Sequence, residues 1–165
     1  HLNDQQRKQL YALIDEHRKE SRALKDKIRT AKNELFDLGA DLATPLHESY
    51  QYEPIRVPES WVIDLEKAID KYNASLPKLD SFILPGGTSL AAGLHLARTV
   101  VRRAERATWH AIEAHGVEES KKGAEAGGIN VLTAKYLNRL SDLLFVLARL
   151  ANSGNDVKWR PSKTR

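Results

Sequence analysis

The chain has 165 residues, a length that suits one domain with a single core. It contains no cysteine, which excludes disulfides, thiolate metal sites and cysteine nucleophiles, and its net charge of +4 is small. The sparse aromatic residues do not form a base-stacking pattern, and no apolar run approaches the roughly 20 residues that span a bilayer. We therefore expect a soluble cytoplasmic protein that binds neither nucleic acid nor a membrane.

The first half of the sequence predicts two helices. Apolar residues recur at helical spacings over about residues 4–42, and Pro45 ends that pattern. Residues 45–58 are predicted as a loop. A second helix is expected from Pro58-Glu59-Ser60 up to Pro77, because proline is favoured in the first turn of a helix. Its buried face is predicted to hold Trp61, Ile63, Leu65, Ala68, Ile69 and Tyr72.

The second half predicts two more helices. Residues 89–114 carry apolar side chains at steps of three or four, at Leu90, Leu94, Ala97, Val101, Ala104 and Thr108. A Gly-rich, charged span over residues 115–129 is predicted to be flexible, and a last helix is expected over residues 132–150. No segment shows the alternation of a strand, so the sequence predicts an all-α bundle.

The segment Phe82-Ile83-Leu84-Pro85-Gly86-Gly87-Thr88-Ser89 breaks an apolar approach just before the third helix. Glycines let the backbone come close to a ligand, and a helix N-terminus capped by Thr88 or Ser89 favours an anion. The same residues also suit a plain loop followed by a capped helix, because short Gly-rich loops are common.

A column of arginines follows on the third helix, at Arg98, Arg102 and Arg106. Like charges four residues apart repel, so the column requires a partner. One interpretation is a bound polyanion, since the guanidinium fork suits phosphate. The other is an ion-pair network in which Glu105 and Asp142 neutralise the arginines. His95, one turn earlier, is interpreted as a packed histidine.

The last helix has two faces. Leu137, Leu140, Leu144 and Leu147 form an apolar seam that is predicted to lie in the core. The second face, at spacings of three and four, holds a neutral amide, a hydroxyl, an acid and an aromatic ring: Asn138, Ser141, Asp142 and Phe145. This combination suits a half-buried site or subunit contact, and it equally suits a polar interface between helices. No pair of histidines has the spacing of a metal site.

Taken together, these segments resemble the PduO-type ATP:cob(I)alamin adenosyltransferases. The matching motifs are FILPGG at residues 82–87, LHLARTVVRRAER at 94–106, YLNRLSDLLFVLAR at 136–149 and, more weakly, LFDLGADLATP at 35–45. The resemblance implies a five-helix, up-down bundle that assembles as a homotrimer with sites between subunits. It implies transfer of the 5′-deoxyadenosyl group of ATP to Co(I) of cobalamin, with Mg²⁺ held mainly by ATP and a reductase supplying Co(I).

The resemblance also implies roles for individual residues. Phe82 is similar to the aromatic residue that displaces the lower axial ligand of cobalt, and Arg98 to an arginine that pairs with an aspartate. Arg102 and Asn138 resemble ATP contacts, while Ser141 and Phe145 resemble corrinoid contacts. The catalytic set is thus Phe82, Arg98 and Arg102, supported by a polar network of Glu105, Arg106 and Asp142.

One departure from the family pattern lies at the N-terminus. The family opens with a TGDxGTT phosphate loop and a DELNS helix, whereas this sequence has only Asp15-Glu16 in their place. We expect residues 1–165 to be one bundle domain that lacks this loop, either because the chain continues upstream, which the absence of methionine favours, or because it has diverged. The alternative functions are a non-catalytic trimeric bundle that binds or delivers a corrinoid, and a purely structural helical protein.

Overall fold

The computed structural model describes residues 3–119 and 127–162. Within these residues the chain forms four α-helices, and their strand-like pairing is limited to an isolated antiparallel bridge between Ile83 and Lys158. The predicted all-α bundle is therefore confirmed, with four helices in the described part of the chain where the resemblance implies five. The helices are α1 (Asp4–Leu42), α2 (Glu59–Asn73), α3 (Ser89–His115) and α4 (Val131–Ala151).

Side-chain caps explain where three of the helices begin. Asn3 and Gln6 form a capping box at the start of α1. The Thr88 hydroxyl accepts a hydrogen bond from the Ala91 amide at 3.1 Å, as predicted for the start of α3. Asn130 caps α4 by accepting from the Leu132 amide at 3.1 Å. These caps satisfy backbone N–H groups that have no partner within the helix.

Helix α4 lies at the centre of the bundle and packs against α3, α2 and, over a shorter length, α1. Leu137, Leu140 and Leu147 of the predicted seam are buried, while Leu144 is half-buried against the same core. Burial of such a seam is the main source of stability for a helix of this length. The second face of α4 is consequently held in a fixed orientation toward α3.

Helix α1 joins the core through its second half. Of its described side chains, none before Ala31 is buried, and Leu10 and Ile14 are exposed despite their helical spacing. Further along, the Tyr136 hydroxyl of α4 donates to Glu34 Oε2 at 2.6 Å. Burial and the neighbouring Glu34 carboxylate both raise the pKa of Tyr136, so its hydroxyl remains a donor.

Three predicted core positions of α2 and α3 are wrong. Ile63 of α2 is 42% exposed, whereas its neighbour Val62 is buried beside Leu65. Leu90, in the first turn of α3, is 53% exposed, whereas Ala91 is fully buried. Ala104 of α3 is exposed as well. The other predicted positions of both helices lie in the core or are partly buried, so the predicted faces are right and only these positions at their edges differ.

A buried carboxylate connects the end of α1 to the start of α4. Asp41 accepts hydrogen bonds from Arg56 Nη1 at 2.6 Å, from the Val57 amide at 2.7 Å and from Asn130 Nδ2 at 2.7 Å. The Asp41 side chain has no exposed surface. Because Asn130 also caps α4, this carboxylate fixes the loop after α1 relative to the central helix.

The predicted flexible span over residues 115–129 falls partly on residues 120–126, which lie outside the described residues. At its described end, Gly128 donates to the Glu118 carbonyl and accepts from the Leu46 amide, both at 2.8 Å. None of the helices in the described ranges has the length and apolarity that crossing a lipid bilayer requires.

Candidate functional site

The loop before α3 holds the Phe82 side chain at the protein surface. Phe82 is 79% exposed, and its ring meets the Trp159 ring edge to face at 6.1 Å between centroids. The segment after α4 pairs with this loop through two backbone hydrogen bonds. The Leu84 amide donates to the Val157 carbonyl at 2.7 Å, and the Trp159 amide donates to the Phe82 carbonyl at 2.8 Å. An aromatic ring is thus presented to solvent from a backbone that is itself fixed.

The Pro-Gly-Gly part of the loop packs on the end of α4. Asn152 accepts from the Thr88 amide at 2.9 Å and donates to the Gly86 carbonyl at 3.0 Å. Gly87 has φ +101°, and a Cβ there would lie 2.2 Å from Asn152 Oδ1. Only glycine fits this position, because both the left-handed backbone and the close approach exclude a side chain. Gly87 is therefore required so that the loop backbone can pack against the Asn152 side chain.

The three arginines of the α3 column have different surroundings. Arg98 is half-buried, and its guanidinium carbon lies 5.2 Å from the centroid of the Phe145 ring. Its Nε is buried and has no hydrogen-bond partner among the described residues. Arg102 is paired with Glu105 one turn away. Arg106 is exposed, and no ion pair joins it to another described residue. The column is therefore neutralised in part.

Arg102, Glu105 and Asn138 form a polar cluster between α3 and α4. Glu105 is 5% exposed, and its two carboxylate oxygens are shared between Arg102 and Asn138 Nδ2, the latter at 2.9 Å. The Arg102 side chain is 41% exposed. Because Glu105 takes one edge of the guanidinium, the remaining N–H groups of Arg102 stay available to an anionic ligand. The structure thus brings together the two predicted ATP contacts and one residue of the predicted supporting network.

His95, Arg98 and Phe145 form the neighbouring part of the same surface. The His95 ring meets the Phe145 ring edge to face at 6.2 Å, and His95 is 4% exposed. Burial and the charge of Arg98 lower the pKa of His95, while the Asp156 carboxylate acts in the opposite direction. His95 is packed as predicted, but its Nε2 is buried without a partner among the described residues.

Two residues of the predicted site have partners that the sequence did not indicate. Asp142 accepts from Arg139 Nη1 at 2.8 Å, so the acid that one of the two interpretations paired with the α3 arginines is engaged within its own helix. Ser141 is 1% exposed, and its hydroxyl donates to the Asn138 carbonyl at 2.8 Å. The corrinoid contact of Ser141 stays a prediction, since its hydroxyl is directed to the helix backbone here.

A cavity of about 510 Å³ opens beside the polar cluster, between α2, α3 and α4. Glu105 and Asn138 line it together with Trp109, Lys135 and Glu66. None of these last three residues was predicted to belong to the site. Trp109 follows Glu105 by one helical turn and Lys135 precedes Asn138 by three residues, so helical spacing from the predicted residues indicates both. Glu66 comes from a different helix, and the sequence gives no reason to place it here.

Comparison with known proteins identifies the family. A family model described as cobalamin adenosyltransferase matches residues 7–151. The corrinoid adenosyltransferase of Mycobacterium bovis is 53% identical over 140 residues, which are 85% of this chain and 67% of that protein. The human corrinoid adenosyltransferase is 38% identical over 130 residues, 75% of this chain and 46% of that protein.

A solved structure agrees with these sequence comparisons. A variant PduO-type ATP:corrinoid adenosyltransferase from Lactobacillus reuteri, complexed with cobalamin and ATP, superposes with a TM-score of 0.69 at 35% identity. The match covers 84% of this chain and 71% of that one. Extended matches in sequence and in fold therefore show that this chain belongs to the PduO-type cobalamin adenosyltransferase family.

Proposed function

We propose that this protein transfers the 5′-deoxyadenosyl group of ATP to Co(I) of cobalamin, giving adenosylcobalamin and triphosphate. The observation that carries the proposal is the surface formed by α3 and α4. It holds Arg98 beside Phe145 and, one turn further along α3, the cluster of Arg102 and Asn138, while the exposed Phe82 ring lies in the loop before α3. From Ser89 to Glu105 this surface is about 24 Å long, at 1.5 Å per helical residue. That length suits two large ligands placed end to end.

The reaction asks for orientation and charge stabilisation. Co(I) supplies the electron pair of the new Co–C5′ bond, and the C5′–O bond breaks as triphosphate leaves with its electrons. No proton must move at the reacting atoms, so the protein has to align the ligands, stabilise the leaving polyanion and exclude water. Arginine suits the second of these tasks, because its fork binds phosphate oxygens in pairs.

We assign the polar end of the surface to ATP. Arg102 contacts the phosphates, and Asn138 contacts the nucleotide from α4. Glu105 orients both, as its carboxylate binds each of them. Arg106, one turn beyond Arg102, adds positive charge from an exposed position. Mg²⁺ would be held mainly by bound ATP, where it would offset the negative charge of the triphosphate.

We assign the aromatic end of the surface to the corrinoid. Phe82 displaces the lower axial ligand of cobalt, which makes Co(II) easier to reduce to the nucleophilic Co(I) state. Phe145 offers a half-buried ring on the neighbouring helix, backed by Arg98 and His95. Ser141 is buried on the same helix, where its hydroxyl donates to the Asn138 carbonyl, and Asp142 accepts a hydrogen bond from Arg139. A reductase that supplies the electron is the expected partner.

We further propose a homotrimer with sites between subunits. Arg98 has a buried Nε without a partner in the described part of the chain, and an aspartate from a second copy would satisfy it. Apolar side chains are also exposed on two helices, with Phe36 at 81%, Leu96 at 67% and Val100 at 48%. Such surface suits burial against another subunit.

Use of ATP as the adenosyl donor suggests a cytoplasmic location, and residues 1–165 are taken as one domain.

Arg102→Ala tests the ATP assignment. Loss of Arg102 should reduce adenosyl transfer to preformed Co(I) by about 10²- to 10³-fold. Because it also leaves the buried Glu105 carboxylate with Asn138 as its partner, circular dichroism must show that the variant is still folded. Arg102→Lys should restore only part of the activity, since lysine has no bidentate fork. The matched control is Arg103→Ala, the exposed arginine next to it on α3. Near-normal turnover of Arg102→Ala would contradict the proposed role.

A further inference from the structure

Phe82 is presented to solvent, yet the segment that follows α4 fixes its backbone from one side. The Trp159 amide donates to the Phe82 carbonyl at 2.8 Å, and Ser81 Oγ donates to the Trp159 carbonyl at 3.3 Å. On the other side of the β-bridge between Ile83 and Lys158, the Leu84 amide donates to the Val157 carbonyl at 2.7 Å. These bonds hold Phe82 and Trp159 as neighbours, although 76 residues lie between them in the sequence.

The segment itself is anchored in the core. Arg149 of α4 donates to Asp156 Oδ2 at 2.9 Å, and the side chains of this pair are 5% and 4% exposed. Arg149 also donates to the Pro77 carbonyl at 2.6 Å, which ties the approach to the Phe82 loop to the same helix. Asn152 binds the Gly86 carbonyl and the Thr88 amide at the far end of the loop. The loop and the segment are therefore held by the same turn of α4.

The two rings complete this arrangement. Phe82 and Trp159 meet edge to face, with an angle of 79° between their planes. Trp159 is 40% exposed, half as much as Phe82, so the indole contacts one part of a ring whose remaining surface is open. Edge-to-face pairs favour one relative orientation, so the indole restricts the rotation of the Phe82 ring. A ring that must occupy the lower face of cobalt needs such a restriction.

We propose that Trp159 is a positioning residue for Phe82: its ring, carried by the segment that Arg149 anchors, holds the Phe82 ring in the orientation that displaces the lower axial ligand of the corrinoid. The inference rests on the proposed function. It concerns the reduction of Co(II) to Co(I), because ligand displacement matters for that step. Attack of preformed Co(I) on ATP does not depend on it.

The test compares the wild-type protein with Trp159→Leu. This substitution keeps the backbone hydrogen bonds of residue 159 and removes the ring that contacts Phe82. The reaction from cob(II)alamin with a flavin reductant should slow by about three- to tenfold, the range expected for one lost aromatic pair. The reaction from chemically preformed cob(I)alamin should change by less than about twofold. Electron paramagnetic resonance of bound cob(II)alamin with ATP should show a smaller four-coordinate fraction, and Trp159→Phe should restore most of it. Tyr52→Leu, which changes a 79% exposed aromatic residue elsewhere, is the control.

A double-mutant cycle separates positioning from a general loss of stability. Phe82→Ala combined with Trp159→Leu should be no slower from Co(II) than Phe82→Ala alone, because Trp159 acts through that ring. Additive losses, equal losses from Co(II) and Co(I), or an unchanged four-coordinate fraction in Trp159→Leu would each overturn the inference. Failure of the wild-type protein to use preformed Co(I) would instead refute the proposed function.

Discussion

Removing the Asp41 carboxylate should destabilise the fold far more than removing a surface carboxylate does. In Asp41→Ala the Val57 amide loses its acceptor at a site where Val57 is 1% exposed, which costs about 1–3 kcal/mol. The lost bonds from Asn130 and Arg56 add about 1 kcal/mol each, although both donors keep other acceptors. The expected total is about 3–5 kcal/mol, the usual range for breaking a buried ion pair.

Urea unfolding followed by circular dichroism at 222 nm measures this difference. A loss of this size should lower the thermal midpoint by about 10 °C in a domain of this length. The control is Asp26→Ala, which removes an exposed carboxylate 2.9 Å from Arg29 Nη2 on the same helix and should cost at most about 0.5 kcal/mol. Equal effects of the two substitutions would refute the reasoning that Asp41 anchors α1 to the start of α4.

The other predictions concern the Phe82 ring and the contact between α1 and α4. Phe82→Ala should slow the Co(II)-dependent reaction at least about tenfold more than the reaction with preformed Co(I), and equal losses in the two assays would count against ligand displacement. Tyr136→Phe should cost about 1–2 kcal/mol in urea unfolding, because it removes a hydrogen bond to the Glu34 carboxylate from a fully buried side chain. No measurable change in Tyr136→Phe would show that this bond does not hold α1 in place.

The helices could be predicted from the sequence because their determinants are local. The first helix matches its predicted bounds, and Thr88 caps α3 as expected. Burial at the edge of a helix face depends on the neighbouring helices, and in α2 Val62 is buried beside Leu65 whereas Ile63 is exposed. The N-terminal half of α1 shows the same limit, since its helical spacing does not reveal that Leu10 and Ile14 stay exposed.

The site could be predicted in part. Arg102, Glu105 and Asn138 do meet between α3 and α4, because their helical spacings place them on facing surfaces. Asp142 shows where the reasoning from spacing fails, since its partner is Arg139 on the same helix. The contact between Phe82 and Trp159 depends on the path of the chain after α4. No local pattern encodes a pairing over such a separation, so the sequence did not indicate that Trp159 contacts Phe82.

The most direct test of the proposed activity is an anaerobic absorbance assay with the purified chain, ATP, Mg²⁺ and chemically reduced cob(I)alamin. We predict conversion of the cob(I)alamin spectrum to that of adenosylcobalamin, with one triphosphate released for each corrinoid converted. A folded protein, with the helical circular dichroism expected from its four described helices, that gives no conversion would contradict the account and favour a bundle that only binds or delivers a corrinoid.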